Sequence, residues 1–296
     1  MRNSSGVVSE TILVPVQAAG RISGTLRLPP TPPSAAVVIH PATATPERFY
    51  AAFATYLAEN GIATVTYDYR GTGRSGAPRQ HRDLRMRDWM DHDVPAVAGW
   101  ARAQLPYVPH LAVGHSVGGH ALALGNGTEG LAAFALIASH AGTTRTIPAL
   151  TERLRVALVL NVVGPALGAA LGYVPARRLG LGEDLPAAAM SEWGQWARRP
   201  GYFFDDPSMQ ARQRAATITQ PVLAIGVSDD PWATPGQIDV ITDHLTAARV
   251  ERRTYSPADA GVPSIGHHGF LRRSVRDTLW PELLTWLQTY AENASE

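Results

Sequence analysis

Gly114-His115-Ser116-Val117-Gly118 sets a serine between small residues, directly after the strand-like run HLAVGH and before the helical ALALG. A turn this sharp forces the serine into a strained backbone, and side chains two positions away on either side would collide, so the glycines are a physical requirement. A serine hydroxyl is a poor nucleophile until a base removes its proton, and that base needs a carboxylate to hold its tautomer and stabilise its charged form. Both kinds of partner follow in the chain. PVLAIGVSDDPWATP closes a strand-like run with Asp229 and Asp230, and SIGHHGFLRR offers His267 and His268 after the last strand-like run. The spacing thus predicts covalent acyl chemistry in the order serine, acid, histidine.

A second glycine pattern, Gly71-x-Gly73-x-x-Gly76 in RGTGRSG, has the spelling of a dinucleotide-binding turn. That use needs the third glycine to open a helix on the sheet and an acidic residue about twenty positions on. Here Gly76 runs into APRQHRD, where no helix starts, and Asp91 and Asp93 read as exposed helix residues. No cofactor is expected.

The elements that must hold these residues alternate. Strand candidates at 35–40, 62–69, 110–115, 131–139, 221–228 and 249–256 are separated by helix-period segments, the pattern of a largely parallel sheet covered on both faces. Phe49, Phe53, Tyr56 and Leu57 make one buried face of a helix beginning near Pro46 and stopping at Asn60-Gly61, and Leu279, Leu283, Trp286 and Leu287 repeat the spacing in the last helix. Residues 140–220 are too many for one crossover and too many for a structureless loop. We therefore expect a helical cap over 143–214, on a core of 1–142 and 215–296. Its long uncharged stretch, Val156 to Val174, has transmembrane length but carries four helix-interrupting Gly and Pro residues, and reads as a buried or pocket-lining helical pair rather than an anchor.

Composition narrows the chemistry. The chain has 296 residues, 45% of them hydrophobic, and a net charge of +1. Such a charge gathers no nucleic acid, and the basic stretch HRDLRMRD, interleaved with aspartates, reads as a solvated face. Cysteine and lysine are both absent, which excludes thiolate nucleophiles, Cys-based metal sites and Schiff-base chemistry. His81, His92, His110, His120, His140 and His244 show no metal-ligand spacing. The N-terminus lacks the basic start and continuous apolar run of a secretory leader, and a cytoplasmic location is expected.

With YDYRGTGRSG, GHSVGG and GHHGF in place, the sequence resembles the α/β-hydrolase superfamily over about residues 22–290. It is most similar to a bacterial group of predicted serine hydrolases carrying HPAT near the start, GEDLP in the cap and GHxGFxR near the end. The resemblance implies an α/β-hydrolase fold with an inserted cap. It implies Ser116 as nucleophile and His267 as base, with His268 in a variable place, and it favours Asp230 as the acid because it stands nine positions after Pro221. Counting from Gly226 selects Asp229 instead. Two N–H donors must hold the oxyanion: Val117 supplies one, and since Pro41 has no N–H, Ala42 is expected to supply the other, with Thr43 behind it. Asp68 and Arg70 brace the loop. Asp205-Asp206-Pro207 imitates the acid motif without a preceding strand and reads as a loop or helix start. Trp193 and Trp196 in the apolar cap are candidate substrate contacts, and a small hydrophobic ester is the expected substrate. Thioester hydrolysis, acyl transfer, cyclisation or simple binding would use the same pocket.

Overall fold

A computed structural model describes residues 6–17 and 20–294, so the part of the leader reading that falls on residues 1–5 lies outside the described residues. One eight-stranded sheet organises the chain. Its strands are β1 (Val8–Pro15), β2 (Arg21–Leu28), β3 (Ala35–His40), β4 (Ile62–Tyr67), β5 (His110–His115), β6 (Leu131–Ile137), β7 (Val222–Val227) and β8 (Val250–Tyr255). The spatial order is β1-β2-β4-β3-β5-β6-β7-β8. The six strands from β3 onward are parallel, while β2 runs antiparallel to β1 and β4. The sequence reading did not include β1 and β2, whose apolar residues are interrupted by Ser, Thr, Glu and Arg. In β3, β4, β5 and β7 every residue is buried, which is why they read as unbroken apolar runs.

Helices cover both faces. The helix α1 (Ala51–Glu59) follows β3 and ends at Asn60 and Gly61, as its periodicity predicts. Next come α2 (Val94–Gln104), α3 (Val117–Ala123), α4 (Leu150–Leu171), α5 (Ala187–Ala197), α6 (Pro235–Thr242) and α7 (Trp280–Asn293). Phe53 and Tyr56 of α1 meet Trp280 of α7 edge-on or tilted at 5.2 and 5.3 Å, joining the two helices, while α2 and α3 pack on β3 and β5.

Two expectations about charge are corrected. Asp93 is fully buried and pairs with Arg70 at 2.6 Å, because the helix it sits on turns inward through a π-helical turn, Trp89–Asp93. Arg87 is not on a solvated face either: it binds the buried Glu192 and, at 2.9 Å, Asp206, tying the start of that helix to α5.

The segment between β6 and β7 contains α4, α5 and a short antiparallel pair of two-residue strands, Tyr173–Val174 and Leu185–Pro186. The apolar stretch forms one continuous helix with a π turn at Val159–Val163, not a pair, so Gly164, Pro165 and Gly168 are accommodated inside it and Gly172, at a φ of 77°, ends it. Those glycines make a close approach possible: a Cβ on Gly164 would lie 2.7 Å from Met190, and one on Gly194 of α5 would lie 2.4 Å from the Leu160 carbonyl. By length and composition α4 is apolar enough to span a bilayer, and only 17% of its apolar window is buried.

Candidate active site

In strand order the chain passes from β4 to β3 and then β5, so the loops after β3 and β5 leave the carboxyl edge side by side at the point where the direction of winding reverses, the usual ligand position of such sheets. The second loop is the turn at Ser116. Its φ of 52° and ψ of −113° lie outside the regions an L-residue ordinarily adopts. The glycines around it are sterically required: a Cβ on Gly114 would lie 2.5 Å from the Gly119 backbone, and one on Gly118 would lie 2.3 Å from the His40 carbonyl oxygen. The Ser116 N–H anchors the turn on the Ile137 carbonyl at 2.9 Å. Val117 opens α3, where an N–H has no acceptor within the helix.

The aspartates after β7 separate cleanly. Asp230 Oδ2 accepts the Nδ1–H of His267 at 2.7 Å, and its Oδ1 accepts the N–H groups of Trp232 and Ala233 at 2.8 and 3.0 Å. Burial pushes the Asp230 carboxyl up, but the His267 hydrogen bond and charge, with the Ala233 N–H, outweigh it and hold the group well below the usual carboxylate range. Asp229 faces away. It accepts from Ser264 Oγ at 2.8 Å and from the N–H groups of Ile265 and Gly266 at 2.9 Å, bracing the loop that carries His267. Of the two counts from sequence, the one from Pro221 selects the carboxylate that touches the imidazole.

Ser116 and His267 line one cavity of about 350 Å³. Its walls include Val156, Val159 and Leu160 of α4, Met190 and Trp193 of α5, and Leu181. Trp193 thus stands where the sequence suggested. Trp196 does not: it is fully buried, packs on Tyr202 and Phe203, and donates its Nε1–H to Asp206 at 2.9 Å. Asp206 itself caps a short helical turn at Pro207, as expected for a helix start.

The second oxyanion donor also needs correction. The Ala42 N–H is given to Tyr50 Oη at 2.8 Å, which takes that single hydrogen away from the cavity. Tyr50 in turn hydrogen-bonds His115 Nδ1 at 2.9 Å, and His115 Nε2 meets the His267 carbonyl at 2.9 Å. A carbonyl only accepts, so His115 carries its proton on Nε2 and Tyr50 donates to Nδ1. Thr43, the next residue and also a cavity wall, has its N–H engaged by no acceptor among the described residues. His268, left open by the sequence, lines the cavity and hydrogen-bonds Thr45 at 3.2 Å. His40 lies outside it, with Nδ1 on Tyr67 Oη at 2.8 Å.

Other residues of the signature brace these loops. Asp68 accepts the N–H groups of Glu47 and Arg74 at 2.7 and 2.9 Å. A Cβ on Gly73 would sit 2.3 Å from the Asp68 carboxylate, and Gly73 has a φ of 48°. The glycine turn is therefore shaped around a carboxylate of its own chain. GEDLP docks on the loop after β3: the Glu183 N–H donates to the Ala44 carbonyl at 2.7 Å, and the Glu183 carboxylate binds Arg48 and Arg177. Nothing local in the sequence reveals that docking role. His120 and His140, set aside for lacking metal spacing, also line the cavity. The available signals were position: His120 is four residues past Ser116 on the same helix, and His140 follows the end of β6.

The sheet order, the strained serine turn and the Asp230–His267 pair define an α/β hydrolase of the serine type. The chain belongs to the family described as "Serine aminopeptidase, S33", whose model matches residues 31–258. No curated protein matches it by sequence. Among solved structures it is similar to an esterase of Pyrococcus furiosus (11% identity, 97% of this chain and 92% of that one, TM-score 0.61). It is also similar to a thermostable carboxyl esterase of Bacillus coagulans (15%, 96% and 99%, TM-score 0.59) and to a soluble variant of the monoglyceride lipase of Saccharomyces cerevisiae (15%, 96% and 95%, TM-score 0.65). At these identities the likeness is one of fold.

Proposed function

We propose that this chain is a carboxylic ester hydrolase working through an acyl-enzyme on Ser116. Ser116 Oγ attacks the ester carbonyl while its proton passes to His267 Nε2, and Asp230 holds the imidazolium that forms. The N–H groups of Val117 and Thr43 receive the oxyanion. His267 then returns the proton to the departing alcohol oxygen, and a water, activated by the same imidazole, releases the acid. Residues 143–214 act as a lid whose helices α4 and α5 close the cavity over the sheet.

The observation that carries the ester reading is the cavity wall. An aminopeptidase must hold the substrate's terminal ammonium, which calls for a carboxylate. Among the described residues no Asp or Glu lines this cavity, and the one charged side chain is Arg155, already paired with Glu152 at 2.7 Å. Apolar side chains dominate the remainder, which suits an uncharged ester with a hydrophobic acyl or alcohol part and gives a free ammonium nothing to bind. The chain's lack of lysine and cysteine removes amine and thiolate nucleophiles and supports the serine as the covalent group.

The test is a comparison of kcat/KM on p-nitrophenyl esters of short to medium acids and on aminoacyl p-nitroanilides. The esters are expected to turn over at least a hundredfold faster than the anilides. Preference for the aminoacyl substrates would overturn the ester reading.

A further inference from the structure

The cavity holds polar atoms for which the acyl-transfer steps have no use. His120, one helical turn beyond Ser116, places its Nε2 2.8 Å from the His140 carbonyl. Because a carbonyl only accepts, Nε2 carries the proton and Nδ1 is left as a bare lone pair. That Nδ1 is buried and has no hydrogen-bond partner. His140 is fixed the opposite way round: its Nδ1 lies 3.0 Å from the Ala138 carbonyl, so Nδ1 carries the proton and Nε2 is the lone pair. The His140 ring stands edge-on to His267 at 5.3 Å, and both His120 and His140 line the cavity with Ser116.

Burial lowers both imidazoles, His120 to about 3 and His140 to about 4, so neither carries a proton to or from the substrate near neutral pH. They are fixed acceptors. Beside them, Tyr202 packs its ring on His120 at 5.6 Å and its hydroxyl end passes over Gly142, where a Cβ would come within 3.4 Å of the oxygen. Tyr202 is one of five non-glycine residues with positive φ among the described residues, at 56°, an uncommon conformation for a bulky side chain. Tyr202 is also one of the residues that line the cavity, and no described group hydrogen-bonds its hydroxyl.

A buried acceptor without a donor costs about 1–3 kcal/mol; His120 Nδ1 is one, and His140 and Tyr202, whose Nε2 and hydroxyl receive no hydrogen bond from a described group, belong to the same largely apolar cavity wall. We propose that His140 Nε2, His120 Nδ1 and Tyr202 Oη form a receptor for a hydroxyl group carried by the substrate close to its scissile ester. The substrate O–H donates to an imidazole lone pair, and its oxygen accepts from Tyr202. The physiological substrate is then a hydroxylated ester, not a plain alkyl ester. This rests on the ester-hydrolase reading, since the receptor is placed relative to Ser116 and His267.

The experiment uses two matched pairs on the full-length enzyme. One places the hydroxyl on the acyl side, p-nitrophenyl 3-hydroxybutyrate against p-nitrophenyl butyrate, and the other on the alcohol side, 2-hydroxyethyl butyrate against propyl butyrate. In at least one pair the hydroxylated ester is expected to have a kcat/KM at least tenfold higher. His140→Phe, and separately Tyr202→Phe, should bring that ratio to within about threefold of one. The ratio reports on the hydroxyl alone, so a general disturbance of His267, which slows both members of a pair, leaves it unchanged. Equal rates in both pairs for the wild-type enzyme, or variants that keep the wild-type ratio, overturn the receptor while leaving the esterase reading intact. Failure to cleave any member of either pair would contradict the esterase reading instead.

Discussion

The carboxyl edge of the sheet and the helical segment above it are held by different forces. At the edge, backbone meets backbone: Gly114, Gly118 and Gly119 leave no room for a Cβ, and Ser116 is over-determined in a strained conformation by contacts that cannot relax. In the segment over it, side chains do the joining. Arg87 reaches from the core into the carboxylates of Glu192 and Asp206, Glu183 gathers Arg48 and Arg177, and α4 touches α5 through glycines. The outward face of α4 carries Leu150, Leu154, Leu158 and Val162, each more than half exposed. The contrast teaches that the nucleophile is set by backbone packing with no room to vary, while the wall over it is held by side-chain pairs that single substitutions can undo.

Breaking the edge should have the largest effect. Ser116→Ala is expected to lower kcat on a p-nitrophenyl ester by on the order of a millionfold, by analogy with other serine triads, with an unchanged melting temperature. Residual turnover within a hundredfold of wild type would place the nucleophile elsewhere. Asp230→Asn should lower kcat by about ten thousandfold, since the amide favours the wrong imidazole tautomer, whereas Asp229→Asn, which only loosens the 264–266 turn, should lose far less. Equal losses would dissolve the distinction drawn between the two carboxylates.

The junction comes next. Arg87→Ala leaves the buried Glu192 without its paired cation, while Asp206 keeps Arg199 at 3.1 Å, and removing one partner of a buried ion pair costs about 3–5 kcal/mol. Chemical denaturation should register that loss, and limited proteolysis should cut first between β6 and β7. Cleavage in the core instead would show that Arg87 does not hold the two regions together.

The buried imidazoles sharpen the comparison through pH. Burial lowers His40 and His120 to about 3 and His140 and His268 to about 4. In the unfolded chain each titrates near 6.5. Between those values the unfolded state binds protons that the folded state refuses, so stability is complete above about pH 6.5 and declines as pH falls. Each histidine contributes about 1.4 kcal/mol per pH unit in that window. The denaturant midpoint should fall steeply from pH 7 to pH 5, and His140→Phe should flatten the slope. A midpoint independent of pH over that range would mean these rings are charged or solvated. Least affected should be the outer face of α4: Leu154→Gln is expected to shift stability by less than about 0.5 kcal/mol.

How much of this was legible in sequence follows the same division. Strands β3 to β7 could be read because near-complete burial on both faces imposes apolar runs, and the serine turn because steric closeness demands glycine. Strand β1 escaped because it lies at the sheet edge with alternate residues solvated, and β2 because it buries the polar Ser23 and Arg27 among its apolar residues. In the site, the paired aspartates and paired histidines were marked by their place after strand ends, and the resemblance to α/β hydrolases singled out Asp230 and His267 among them. Ala42 was misassigned because nothing local reveals that Tyr50, eight residues on, captures its N–H. Trp196 was misassigned because a tryptophan in a cap reads the same whether it faces a ligand or Asp206. His120 and His140 acquire meaning only when the tertiary fold brings their carbonyl partners to one ring nitrogen each.

The central claim is that the imidazole held by Asp230 activates Ser116. Labelling with a fluorophosphonate, followed by peptide mass spectrometry of the wild-type enzyme and of His267→Ala, tests it most directly. The account predicts a single adduct on Ser116 in the wild type, formed at least a thousandfold more slowly in the variant. An adduct on another residue, or labelling at equal rates in the two proteins, would contradict it.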